Sequence, residues 1–371
     1  MNDELRQIET FLKSQIAPQA NQLDRHPEAL KSALRQMGDR SWLGLKAPLE
    51  LGGTGLSEAE YRRLQISMAR ASGALTFLQT QHQSAVAKLA HSDDRVLHRE
   101  FFPYVVKGDR LVGVGFSHLR RSGTPIMQAQ EKGTGYLLTG KVPWVTGYNI
   151  FSHFILGATL ADGKELYAVL PLQNEVQSSG GKITVDRPME LIAVTATNTV
   201  SVNFDSWLLA GDRVVTINPA GAIHASSRRN ILNHGFFALG CAYAGLDILQ
   251  SVAEKKQLEF LSEPWQTLFE EVARQTELAI AAISDRHTTY QQKLRLRVKA
   301  IALAQRCSQA AVIASSGAAN YLDSSAGRVY REALLFTVSG QTSDVMVASI
   351  QQLAVPLKGL ALRRLKGYTS L

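Results

Sequence analysis

The apolar residues of this chain change period twice, and that order limits the possible folds more than any other feature. Up to about residue 110, Leu5, Ile8, Phe11, Leu12 and Ile16 recur at helical spacing. Pro18, which has no backbone N–H to donate, ends or bends that helix. A second helix is predicted from Pro27 to Gly38. After the glycine-rich turn Leu51-Gly52-Gly53-Thr54-Gly55-Leu56, Ser57 and Glu60 form a capping box. It opens a helix carrying Tyr61, Leu64, Ile66 and Met68, and more helix is expected to His98. From about 111 to 216 the period becomes two. Val200, Val202 and Phe204 alternate with Ser201, Asn203 and Asp205, and Tyr136–Thr139, Phe154–Ala158 and Glu165–Leu172 also read as strands. From about 217 onward the chain is helical again and rich in small residues (Ala300, Ala302, Ala304, Ala310, Ala311, Ala314) that let helices pack closely.

Helices, then strands, then helices is not the alternation of a doubly wound sheet. No G-x-G-x-x-G follows a strand and no G-x-x-x-x-G-K-[ST] occurs. The expected fold is therefore an α+β multidomain chain. Residues 1–110 form a helical N-terminal domain, 111–216 a middle β-barrel or sandwich, and 217–371 a C-terminal helical bundle.

Composition narrows the function classes. With 45% hydrophobic and 19% charged residues, the chain has apolar area for large cores and too little charge for disorder. Its two cysteines, Cys241 and Cys307, argue against a disulfide framework and a cysteine-based metal site, so no metal is expected and the cytoplasm is the expected setting. The start, Met-Asn-Asp-Glu-Leu-Arg-Gln, carries acids and no apolar core, which argues against a secretory signal. No run approaches 18 uninterrupted apolar residues, so no membrane span is expected. The net charge of +8 favours anionic partners. Without a run of five basic residues or basic–aromatic interleaving, the charge reads first as a solvated basic surface, and as a sharper reading points to small phosphorylated ligands such as a dinucleotide or coenzyme A over nucleic acid.

Five motifs, in order, carry a resemblance. They are Ile16-Ala17-Pro18 with Asp24; Leu43-Gly44, Pro48 and Gly52-Gly53-Thr54-Gly55-Leu56; Gly140-Lys141-Val142-Pro143-Trp144-Val145-Thr146; Val202-x-Phe204-Asp205 with Leu209-Ala210-Gly211-Asp212; and Arg328-Val329-Tyr330-Arg331-Glu332-Ala333. Along nearly its whole length the chain resembles the acyl-CoA dehydrogenase superfamily. The resemblance implies a C-terminal four-helix bundle and FAD held between it and the middle domain. It also implies an acyl-CoA substrate, a homodimer or homotetramer, and an electron-transfer or reductase partner.

It also assigns residues. Trp144, Val145 and Thr146 wall the isoalloxazine: an indole supplies stacking area, and a hydroxyl or backbone N–H tunes a ring nitrogen. Without the resemblance, Trp144 reads as a core residue at a strand end. Phe116, Ser117, Ser122 and Gly123 lie where the family carries T-E-P-x-A-G-S-D, with His118 and Leu119 in place of the acid and the proline. Backbone N–H groups of the Ser122-Gly123 turn would meet the pyrophosphate. The added pair Arg120-Arg121 reads equally well as a bidentate anion contact and as an exposed loop pair. Gly340 and Thr342 correspond to the family's Gly-Thr contact with FAD, one residue out of register.

The catalytic residue is left open. Removing an α proton needs a base, and Ser339 stands where the family places its glutamate. The alternative position, on the first bundle helix (Ser226–Gly235), holds no acid. His234 is the nearest titratable group there, and His82 and His118 are further candidates. The element binding a neighbour's FAD tail has lost its arginine and Phe-Gly in Lys255–Ser262, and a glycine turn survives only in part as Ser316–Tyr321. Three functions fit these residues: an FAD enzyme oxidising the CH–CH group of an acyl thioester with an atypical base, a flavin-dependent monooxygenase, and a non-catalytic binding homologue.

Overall fold

The computed structural model describes residues 3–354; the end of the C-terminal zone, 355–371, lies outside the described residues. Helix α1 (Asp3–Phe11) runs into a wide π turn over Leu12–Ile16 and a tight turn over Ala17–Gln19, and then α2 (Ala20–Arg25) follows. Pro18 thus bends the chain without ending it, because the hydrogen-bond ladder widens just upstream of the missing donor. Helix α3 (Pro27–Gly38) has the predicted bounds and starts on a proline, whose missing N–H costs nothing in a first turn. Helix α4 (Glu58–Ala71) opens on the predicted capping box, with Ser57 Oγ accepting from Glu60 N and the Glu60 carboxylate accepting from Ser57 N. Helices α5 (Gly73–Ala90) and α6 (Arg95–Val105) carry the helical stretch past His98.

The strands are β1 (Val112–Gly115), β2 (Met127–Lys132), β3 (Gly135–Val145), β4 (His153–Thr159), β5 (Glu165–Pro171), β6 (Glu175–Val176), β7 (Lys182–Val185), β8 (Val200–Leu209) and β9 (Val214–Asn218). They form one sheet in the order β6-β7-β8-β3-β2-β4-β5-β9, with β1 parallel to β4. A single residue pair, Gln128 with Thr159, joins β2 to β4. The halves on either side of it share one core: Val142, Val202 and Phe204 belong to the same cluster as Phe154, Leu156 and Leu170. That is the two-layered β-domain expected from the period-two stretch.

Helices α7 (Ala222–Arg229), α8 (Gly235–Lys256), α9 (Ser262–Ser284), α10 (Tyr290–Ser315), α11 (Ser325–Val338) and α12 (Ser343–Leu353) complete the described chain. Phe237 and Leu246 of α8, Ile280 of α9, Ile301 of α10 and Phe336 of α11 share one core. Helix α8 is its axis, and two glycines let neighbouring backbones in. A Cβ at Gly240 would stand 2.4 Å from the Ile66 carbonyl of α4, and one at Gly245 would stand 2.7 Å from the Cys307 carbonyl of α10. By length and composition α8 is apolar enough to cross a membrane, but 61% of that window is buried, as befits a helix inside a bundle.

Candidate active site

A cavity of about 800 Å³ opens where the three parts of the chain meet. Helix α5 presents Thr80, Ser84 and Lys88 to it, with His91 at its C-terminal cap, residues spaced to share one side of a helix. Leu78, Val86 and Leu89 of the same helix are buried in the protein. Helix α4 and the segment before it contribute Lys46, Glu58 and Arg62, the β-domain Phe116 and Tyr167, and the start of α8 His234 and Phe237.

His234 stands against the segment that follows α11. Its Nδ1 is 2.9 Å from Ser339 Oγ, and its ring meets Phe237 edge-on at 5.4 Å. Burial, together with the charges of Arg297, Arg120 and Arg62, holds its pKa well below that of a free histidine, so the imidazole is neutral at pH 7. Arg297, fully buried on α10, fixes both sides of this contact by donating to Ile231 O (3.1 Å), Ser339 O (2.6 Å) and Gly340 O (3.3 Å). Gly340 has φ +61°, and a Cβ there would lie 2.6 Å from the His234 ring, so only glycine fits. A neutral imidazole bonded to a hydroxyl beside a cavity is an arrangement that can accept a proton.

The other two histidines have structural roles. His82 accepts from Val112 N at 3.1 Å through Nδ1 and bonds Val105 O at 3.0 Å through Nε2, pinning α5 to β1 and α6. His118 Nε2 bonds Gly157 O at 2.9 Å, and burial pushes its pKa down to about 4.

The residues expected to meet a flavin fall into two groups. A Cβ at Gly115 would lie 2.9 Å from both Val142 Cγ1 and Val145 Cγ2, so the end of β1 abuts the end of β3. This places Phe116 and Ser117 beside Trp144–Thr146. Phe116 lines the cavity and meets the Tyr167 ring edge-on at 5.5 Å. Ser117 is exposed and Val145 fully buried. The Trp144 indole is 46% exposed although it belongs to a strand. Thr146 is buried, its Oγ1 3.0 Å from Thr199 Oγ1. Ser122 and Gly123 form an exposed turn, and nothing lies within 4 Å of a Cβ placed at Gly123. In the second group, Gly340 lies against His234, and Thr342 Oγ1 caps α12 by accepting from Val345 N at 3.3 Å; of all these residues Phe116 is the one among the cavity's lining. An uncovered indole, an exposed hydroxyl and an open glycine turn fit a flat ring with a phosphate tail; the Thr146 hydroxyl is turned towards Thr199. The arginine pair divides: Arg120 Nε donates to Ser227 Oγ of α7 at 2.9 Å, while Arg121 is exposed.

The sequence reading missed the cavity's charge. Lys46, Arg62, Lys88, Arg229 and Lys293 line it against a single carboxylate among the described residues, Glu58. The polar side of α5 was readable as a period, but a period does not distinguish solvent from an internal cavity.

Comparison with known proteins follows the same lines. A family model described as acyl-CoA dehydrogenase, N-terminal domain, matches residues 3–109. The isovaleryl-CoA dehydrogenase of Pongo abelii is 27% identical over 150 residues, 38% of this chain, and the match spans only 36% of that relative's length. The benzylmalonyl-CoA dehydrogenase of Aromatoleum aromaticum is 25% identical over 273 residues, 69% of this chain and 70% of its own. The solved complex of a glutaryl-coenzyme A dehydrogenase with glutaryl-CoA superimposes with a TM-score of 0.77 at 18% identity, covering 96% of each chain.

Proposed function

This chain belongs to the acyl-CoA dehydrogenase superfamily, and we propose that it is an FAD-dependent oxidoreductase of an acyl thioester in which His234 replaces the usual carboxylate base. The 2.9 Å contact between His234 Nδ1 and Ser339 Oγ beside the cavity carries this reading. Trp144 would lie on the ring, Ser117 at its edge, the Ser122-Gly123 turn at the pyrophosphate, and Gly340 and Thr342 on the bundle side. Bound FAD supplies the acceptor for the hydride that leaves the β carbon. With Nδ1–H donated to Ser339 Oγ, His234 Nε2 keeps its lone pair and takes the α proton. Arg297, by holding Ser339 and Gly340, keeps the imidazole in register. Relatives named for isovaleryl-CoA and benzylmalonyl-CoA support a thioester substrate. A separate electron-transfer protein or reductase would reoxidise the flavin, and the buried thiols Cys241 and Cys307 suit a reducing cytoplasm.

The test is anaerobic loss of flavin absorbance in the FAD-loaded protein when an acyl-CoA is added. One observation favours a second reading, a monooxygenase: Glu58, the one carboxylate lining the cavity, is bound by Lys46 at 2.9 Å and by Arg62. Oxygen consumption with supplied reduced flavin, and no bleaching by acyl-CoA, would establish that reading instead. A protein that stays colourless and binds no added FAD would be a non-catalytic homologue.

A further inference from the structure

A cavity built for a plain alkyl chain is lined with apolar side chains, because every desolvated charge it contains must be offset. This cavity departs from that rule in two ways. First, its lysines and arginines outnumber its single carboxylate, and Lys46 and Arg62 share that carboxylate, Glu58, leaving an excess of positive charge. Second, Lys88 on α5 makes no close ion pair among the described residues, although the charge of Glu165 reaches it. Its Nζ stands 3.5 Å from the centre of the Tyr167 ring, with the cavity alongside. The nearby Glu165 carboxylate does not line the cavity. It is occupied by neutral donors, the Tyr167 hydroxyl at 2.8 Å and Ile223 N at 3.0 Å.

We propose that the cavity receives an acyl group ending in a carboxylate, with Lys88 as the principal cation for it. The substrate class is then the monothioester of a dicarboxylic acid. This rests on the thioester reading above. A carboxylate at Lys88 gives this half-buried cation a charge-assisted partner. An aliphatic end supplies none.

The experiment is calorimetric binding to the FAD-loaded protein of three probes: glutaryl-CoA, pentanoyl-CoA and free glutarate. It is run on the wild type, Lys88→Met and Lys88→Arg. The two thioesters share coenzyme A, so their difference reports the acyl end alone. Glutaryl-CoA is expected to bind more tightly than pentanoyl-CoA, on the order of tenfold to a hundredfold. Lys88→Met is expected to erase the preference and Lys88→Arg to retain much of it. Lys88→Arg also guards against a Met variant that simply folds badly. Equal affinity of the two thioesters, or a preference unchanged in Lys88→Met, overturns the inference and leaves the thioester reading standing. Glutarate binding that needs Lys88, with neither thioester binding, upholds the anion site and overturns the thioester reading. Binding of no probe overturns both.

Discussion

Arg331 of α11 donates to Asp24 Oδ2 of α2 at 3.0 Å, and Asp24 Oδ1 accepts from Val194 N of the β-domain at 2.6 Å. One buried carboxylate thus ties together all three parts of the chain. Removing one member of such a pair leaves the other without its partner. Asp24→Ala is expected to cost about 3 kcal/mol or more in chemical denaturation. A double-mutant cycle with Arg331→Gln is expected to show a coupling of about 1–3 kcal/mol. Strict additivity of the two changes would mean that the contact contributes nothing.

His234 is expected to control turnover more than binding. His234→Gln is expected to lower kcat by about 10²–10⁴-fold with KM little changed, and Ser339→Ala, which removes only the orienting hydroxyl, by less. Burial and the Arg297, Arg120 and Arg62 charges keep the imidazole neutral well below pH 6.5, so it acts as a base without first losing a proton. The profile of log(kcat/KM) is therefore expected to show no inflection near 6.5 and to fall only at distinctly lower pH. A midpoint at 6.5 that disappears in His234→Gln would contradict this account of its surroundings.

The same physics predicts acid sensitivity of the fold. Burial lowers His118 and His153 to about 4, and it lowers His82 and His234 as well. Each is neutral when folded and takes a proton near 6.5 when unfolded. The unfolded chain therefore binds more protons below that pH, and the stabilisation, complete above 6.5, is lost as pH falls towards 4. Each histidine contributes at most about 1.4 kcal/mol per pH unit. Denaturation midpoints measured between pH 7.5 and 5 are expected to fall steadily below 6.5, and less steeply in a variant lacking His118.

What was legible in the sequence was local. Helix α3 and the Ser57–Glu60 box are set by residues within one or two turns of each other, and the Val200–Asp205 strand by its own alternation. Strand β1 (Val-Gly-Val-Gly) and the two-residue β6 carry too little pattern of their own, and β1 exists through its parallel pairing with β4. The site is legible only in part for a related reason. Ser339 stood out as an anomaly and His234 as the nearest titratable group, yet their contact spans 105 positions and is made by Arg297, a residue on a third helix. His82 and His118 looked equivalent to His234, because a sequence does not tell a ring bonded to backbone carbonyls from one bonded to a side-chain hydroxyl in a residue that lines a cavity. Asp24 and Arg331 likewise lay in separate motifs with nothing to mark them as partners.

The C-terminal helices carry a surface that a second copy of the chain would cover. Tyr330, Leu334 and Val338 recur every four residues along α11, each about half exposed, and Val347 and Ile350 of α12 are also exposed. An apolar ridge on a helix of this kind commonly marks an association surface. Each apolar side chain removed from water there would contribute roughly 25 cal/mol per Å². The homodimer or homotetramer that the family resemblance implies is expected to bury this ridge. Leu334→Glu, which places a charge in the middle of the ridge, is expected to shift light-scattering mass towards the monomer, while circular dichroism stays that of the wild type, because the side chain faces outward. A wild-type chain that is monomeric at all concentrations, or an assembly untouched by Leu334→Glu and Val338→Glu together, would place the association surface elsewhere or remove it.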